Sequence, residues 1–105
     1  MMSGAIFEAY AVSEVIKSCY NAGKRPPVFY YRDNDQKEID LILESDGILH
    51  PFEIKKSASP GLSSIQHFRV LEKTKKEIGA GGVICMTSSV YPIDAKNHYL
   101  PVWLI

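Results

Sequence analysis

Apolar and polar positions recur with two different periods along this chain, and the change of period marks its elements. Over residues 4–22, Ala5, Ala9, Val12, Ile16 and Cys19 return at three- and four-residue steps, the spacing of one helical face. Ser3 stands where an N-cap belongs, and Gly23-Lys24-Arg25-Pro26-Pro27 ends the segment because proline cannot continue a helix. Residues 28–32 then read as an aromatic strand and residues 33–36 as a turn. Two more strands follow, 38–43 and 48–56, joined at Ser45-Asp46-Gly47. Strand side chains alternate between faces, so Ile39, Leu41 and Leu43 share one side and Asp40 shares the other with Ile42. In the next strand Phe52 and Ile54 point one way, Glu53 and Lys55 the other.

Ser57-Ala58-Ser59-Pro60-Gly61 breaks the sheet. A second helix is expected over residues 62–78, with Leu62, Ile65, Phe68, Leu71 and Ile78 on its apolar face. Residues 79–82, three of them glycine, stop it and lead into 83–87, a short apolar strand buried on both sides. The intervening helix is long enough for a right-handed parallel crossover. Residues 98–105 make a last strand, which Pro101 would confine to a sheet edge. The order is α-β-β-β-α-β plus a terminal strand: an α/β chain with a mixed sheet flanked by helices, and at 105 residues one domain.

Composition narrows the functional classes. Apolar residues make up 46% and charged residues 23%, the proportions of a folded globular protein. Twelve basic residues balance twelve acidic ones, so no overall field draws the chain to nucleic acid, and any such binding must come from a local patch. There is no basic-then-apolar leader and no apolar run near the length of a membrane span, which points to a cytoplasmic location and away from membranes. Cys19 and Cys85 lie in apolar periodic stretches and read as separate, reduced packing residues. The glycines of residues 79–82 lack the lysine and spacing of a phosphate loop.

The candidate chemistry sits in the hairpin. Acids inside apolar strands are costly unless something pairs with them. With a suitable register Asp40, Glu53 and Lys55 meet on one face, either as a metal site with an attached lysine or as a cross-strand ion-paired cluster. Lys56 has the opposite parity. His50 and His67 lack paired zinc spacing and read as surface or packing residues. Arg69, Lys73 and Lys76 share a helical stripe, but Glu72 and Glu77 beside them favour a solvated mixed-charge face. Phe29, Tyr30, Tyr31 and Trp103 offer stacking surfaces, although strand aromatics more often belong to a core.

Taken together, the element order, Asp40 and the Glu53-Ile54-Lys55 triplet resemble the PD-(D/E)xK nuclease-like superfamily, with its restriction-endonuclease-like αβββαβ core. A closer resemblance, over nearly the whole chain, is to the DUF4143-type C-terminal domain of prokaryotic AAA-type ATPases. Phe7-Glu8, Tyr30-Tyr31-Arg32-Asp33, Glu38-Ile39-Asp40-Leu41-Ile42 and Pro51-Phe52-Glu53-Ile54-Lys55-Lys56-Ser57 carry that likeness. The superfamily's proline before the Asp is replaced by Ile39, and no Walker lysine motif is present. The resemblance implies Mg²⁺ or Mn²⁺ held by Asp40, Glu53 and the Ile54 carbonyl, with Lys55 orienting water or stabilising charge on phosphorus. It also implies that Glu8 reaches the metal through water or holds Lys55, and it offers Gln66 as a supporting polar residue, against its reading as an exposed residue of the second helix. Two functions follow: a metal-dependent nuclease-like domain acting on DNA, or a non-catalytic DNA- or protein-binding accessory of an ATPase module. That module would be joined in cis in a longer parent, from which this domain is excised, or met in trans.

Overall fold

The computed structural model describes residues 3–23 and 28–104. The run Lys24-Arg25-Pro26-Pro27, expected to end the first helix, and the final Ile105 lie outside the described residues. Helix α1, Gly4–Asn21, begins at Ser3, whose Oγ accepts the Ile6 N–H at 3.2 Å. Strands β1 (Val28–Arg32), β2 (Glu38–Ser45) and β3 (Ile48–Ile54) form an antiparallel meander. Asp46 and Gly47 connect β2 to β3, both with positive φ (54° and 79°), the geometry of a two-residue turn matched to strand twist.

A 3₁₀ helix, Leu62–Thr74, follows, then β4 (Glu77–Ile78), β5 (Gly81–Cys85), β6 (Tyr91–Pro92), β7 (Asn97–Pro101) and a last 3₁₀ turn, Val102–Leu104. The sheet has seven strands in the order β1-β2-β3-β5-β7-β6, with β4 pairing β3 off that path. β3, β5 and β7 run parallel, so the sheet is mixed. Its two faces carry separate cores. Phe7, Ala11 and Val15 of α1 cover Leu41, Ile54 and Ile84, while Phe68, Val70 and Leu71 of the long 3₁₀ helix cover Ile39, Ile42 and Leu49.

Four expectations change. The buried row of α1 is Phe7, Ala11 and Val15, not the Ala5-Ala9-Ile16 side, because burying the large Phe7 ring outweighs burying two alanines. The second helix is 3₁₀ and stops at Thr74, with Glu77 and Ile78 a short parallel strand beside Ile48 and Leu49. Ile65, Phe68 and Leu71 are three residues apart, which a 3₁₀ helix aligns along one side. Thr74 Oγ1 donates to the Leu71 carbonyl and accepts the Lys76 N–H, and Lys75 turns left-handed (φ 59°).

β7 is not an edge strand either. β6 flanks it, but pairs only with His98 and Tyr99, so Pro101 lies beyond the covered stretch and its missing N–H breaks no bond there. Finally, Ile39 faces the 3₁₀ helix while Leu41 and Leu43 face α1. Phe29 pairs with Ile42 but Tyr31 with Ile39, so Tyr30 alone opposes both Asp40 and Leu41. That β-bulge reverses the alternation.

β5 is central and buried throughout. A Cβ on Gly81 would strike the Pro51 carbonyl oxygen, and one on Gly82 the His98 carbonyl oxygen, both fixed in neighbouring strands. Gly81→Ala or Gly82→Ala is expected to cost about 3 kcal/mol or more. Urea titration followed by circular dichroism should place each midpoint well below wild type. An unchanged midpoint would show that β3, β5 and β7 are not packed this closely.

Candidate functional site

The β2–β3 ladder runs from Ser45↔Ile48 to Leu41↔Phe52 and goes no further. At the next position the bulge turns Asp40, and its Oδ2 accepts the Ile54 N–H at 2.9 Å. A side chain thus takes an amide aimed at the neighbouring strand, and the two strands part around a carboxylate. On its other side β3 stays anchored: Glu53 pairs with Val83, Ile54 with Ile84, and the Lys55 N–H donates to the Ile84 carbonyl at 2.9 Å. One strand is held by a closed ladder and its partner is opened by a bulge.

Glu53 lies within β3, one residue before its end, and is only 7% exposed. Its carboxyl is pushed up to about 8, first by burial, then by the charge of Asp40 and a carboxyl–carboxyl hydrogen bond with it. The Lys55 ammonium and the Asp40 backbone N–H pull the other way without prevailing. Glu53 Oε1 is buried and has no hydrogen-bond partner among the described residues. A buried carboxyl oxygen without a partner, set beside a second carboxylate, is energetically unfavourable on its own and calls for a proton or a cation.

Glu8 approaches from α1. Its carboxyl is raised by burial and then by Asp40 and Glu38, opposed by Arg32 and Lys55. Glu8, Asp40, Glu38, Arg32, Tyr30 and Tyr31 line a cavity of about 280 Å³. Arg32 pairs with Glu38 in the β1–β2 register, and its Nε lies 3.2 Å from Glu38 Oε1.

Of the residues singled out from sequence, Asp40 and Glu53 are brought together, and Lys55 and Glu8 fall within electrostatic reach of them. Ile54 contributes its amide to Asp40. Gln66 is exposed, with its amide 3.5 Å from His67 Nε2, and does not join the group. His67 Nδ1 accepts the Glu38 N–H at 3.4 Å, and His50 Nδ1 lies 2.6 Å from the Ala80 carbonyl, so both are packing residues. Lys76 lies beyond the 3₁₀ helix and pairs with Glu44. Of the four strand and terminal aromatics, Tyr31 packs against the core under the 3₁₀ helix, whereas Phe29, Tyr30 and Trp103 are 50%, 73% and 55% exposed. Arg32 and Glu38 are the lining residues that sequence reading missed. Their signal was the short turn between them, which sets them opposite each other in any regular hairpin.

Among the described residues these features define an α/β domain with a mixed seven-stranded sheet and an acidic pocket lined by α1, β1 and β2 on the Asp40 side of the β2–β3 opening. The chain belongs to the DUF4143 family, described as a domain of unknown function, whose match covers residues 3–105. This is a domain type associated with AAA ATPases. No curated protein and no solved structure matches the chain. Among the described residues no helix is long and apolar enough to cross a membrane, and Cys19 and Cys85 are both free thiols.

Among the described residues no group of three or more Asp, Glu, His or Cys side chains is placed to hold a metal ion. Mg²⁺ nonetheless is commonly held through one or two carboxylates and completes its octahedron with water and substrate oxygens. Asp40 and Glu53, with the orphaned Oε1, fit that smaller donor set.

The raised Glu53 carboxyl also sets a pH dependence. Unfolded, it titrates near its ordinary value of 4.5; folded, it keeps its proton to about 8. Between those values the folded state binds the extra proton, so stability is highest below 4.5 and falls as pH rises through about 8. Denaturation of wild type in metal-free buffer should show this loss, and Glu53→Gln, which cannot ionise, should remove it. Parallel pH profiles for the two proteins would contradict a buried, protonated Glu53.

Proposed function

We propose that this domain is a divalent-metal phosphodiesterase of the PD-(D/E)xK nuclease-like type, acting on DNA. The observation that carries the proposal is the buried Glu53 carboxyl, one oxygen unpartnered, held against Asp40 where β2 and β3 separate. A bound Mg²⁺ or Mn²⁺ would polarise the phosphate and lower the pKa of a bound water. Asp40 and Glu53 would hold it, with the Ile54 carbonyl as a further ligand. The Ile54 amide fixes the Asp40 carboxylate, so little freedom is lost on binding. Lys55, an exposed residue immediately beyond the anchored end of β3, stabilises charge that develops on the phosphoryl oxygens. Glu8 lines the pocket opposite and holds an attacking water or Lys55.

A second reading rests on α1. Ala5, Ala9, Val12 and Ile16 line an open apolar groove on its outer side, with Glu8 at the border between that groove and the acidic pocket. That face suits a non-catalytic accessory domain docked on its ATPase module.

Metal titration by calorimetry and nicking of supercoiled plasmid separate the two. Wild type should bind Mg²⁺ or Mn²⁺ at one site, and Asp40→Ala should abolish the heat. Nicking should require the metal and fall about a hundredfold or more in Lys55→Ala with metal affinity nearly kept, because lysine is not a ligand. Lys56→Ala should nick as wild type does. Metal binding without turnover on plasmid, linear or single-stranded DNA or RNA would favour the accessory reading.

A further inference from the structure

Beside the carboxylates lies a surface that metal chemistry does not use. Tyr30 is 73% exposed although it sits in the middle of β1, and the bulge sets it across from Asp40 and Leu41. The Arg32 guanidinium lies over the Tyr30 ring, its carbon 5.9 Å from the ring centre, in a cation–π contact that covers one face of the ring. Its Nε is tethered to Glu38 at 3.2 Å, which leaves its remaining N–H groups, on a side chain 68% exposed, free to meet an anion. Both residues line the same cavity as Glu8 and Asp40, and Arg32 is the one cation among the described residues that line it. An exposed ring with an oriented cation stacked on it offers a base-stacking surface and a phosphate donor side by side, two parts of a single-strand binding platform.

Duplex DNA does not fit this surface well. Its bases are stacked and cannot reach the Tyr30 face without flipping, which costs a few kcal/mol. Nor is there a field to draw in a polyanion of either form: the chain has zero net charge, and three carboxylates surround Arg32 in the cavity. Affinity must therefore come from stacking plus one directed phosphate contact.

We propose that Tyr30 and Arg32 form a docking platform for single-stranded nucleic acid, with an unpaired base stacked on Tyr30 and its flanking phosphate on Arg32. The consequence for chemistry, that this strand is delivered to Asp40 and Glu53, rests on the phosphodiesterase reading; the binding does not.

The test is fluorescence anisotropy of a labelled short oligothymidylate, alone and annealed to its complement, with the full chain in Ca²⁺. The single strand should bind roughly tenfold tighter than the duplex. Tyr30→Ala and Tyr30→Leu should each weaken it about tenfold, because neither offers a π face, whereas Tyr30→Trp should bind as well as wild type. Arg32→Ala should weaken binding and reduce the slope against log salt by roughly one phosphate contact. Tyr20→Ala, at an exposed aromatic near the far end of α1, should change nothing. Equal or tighter duplex binding, no oligonucleotide binding, or wild-type affinity in Tyr30→Ala would each overturn the proposal. Metal-dependent nicking that survives such a result leaves the phosphodiesterase reading standing. Tyr30-dependent binding without cleavage has the reverse meaning.

Discussion

The Asp40 carboxylate takes the Ile54 amide at 2.9 Å, and the geometry of the site follows from that one bond. It ends the β2–β3 ladder at Leu41↔Phe52 and keeps a carboxylate between strands that would otherwise close over it. Because β3 remains paired to β5 through Ile54, the opening is one-sided and Glu53 stays buried beside Asp40. Burial then makes a shared proton or a cation the favourable way to satisfy two adjacent carboxyl groups. A regular hairpin with the same residues would have produced a cross-strand acidic pair in solvent, with little reason to bind anything.

The fold supports this arrangement from both sides. β5 lies between β3 and β7 so closely that a Cβ at position 81 or 82 would meet a backbone carbonyl of β3 or β7. α1 covers one face and brings Glu8 to the pocket; the 3₁₀ helix covers the other and places His67 under the Glu38 amide at the start of β2. The bulge sets the direction of Asp40 and also leaves Tyr30 as the one β1 residue opposite both Asp40 and Leu41, exposed to solvent.

Much of this was legible in the sequence, and the rest was hidden for identifiable reasons. The meander and the Asp46-Gly47 turn follow from strand period and turn chemistry, which are local; strand parity brings Asp40 near Glu53, but the bulge sets how the two meet. The face of Ile39 was read wrongly because parity assumes an unbroken strand, and a bulge is a property of two strands. Three-residue spacing of Ile65, Phe68 and Leu71 was visible, but it suits an α-helix nearly as well as a 3₁₀ helix; the stop at Thr74 depends on a side-chain bond no pattern announces. In α1 nearly every turn carries apolar residues on two sides, so the buried side was decided by the sheet it meets. Arg32 and Glu38 enter the sequence reading only as part of the segments that carry the family likeness, although their hairpin register already opposes them.

The central claim, that Asp40 and Glu53 form a cation site, is tested most directly by where Mn²⁺ binds. Crystals of the wild-type chain soaked in Mn²⁺ should give one strong anomalous peak within coordination distance of both carboxylates, about 2.0–2.2 Å for a hard divalent ion. The same peak should vanish in Asp40→Ala. Occupied Mn²⁺ sites elsewhere, with Asp40 and Glu53 still joined by a shared proton above pH 8, would contradict the account.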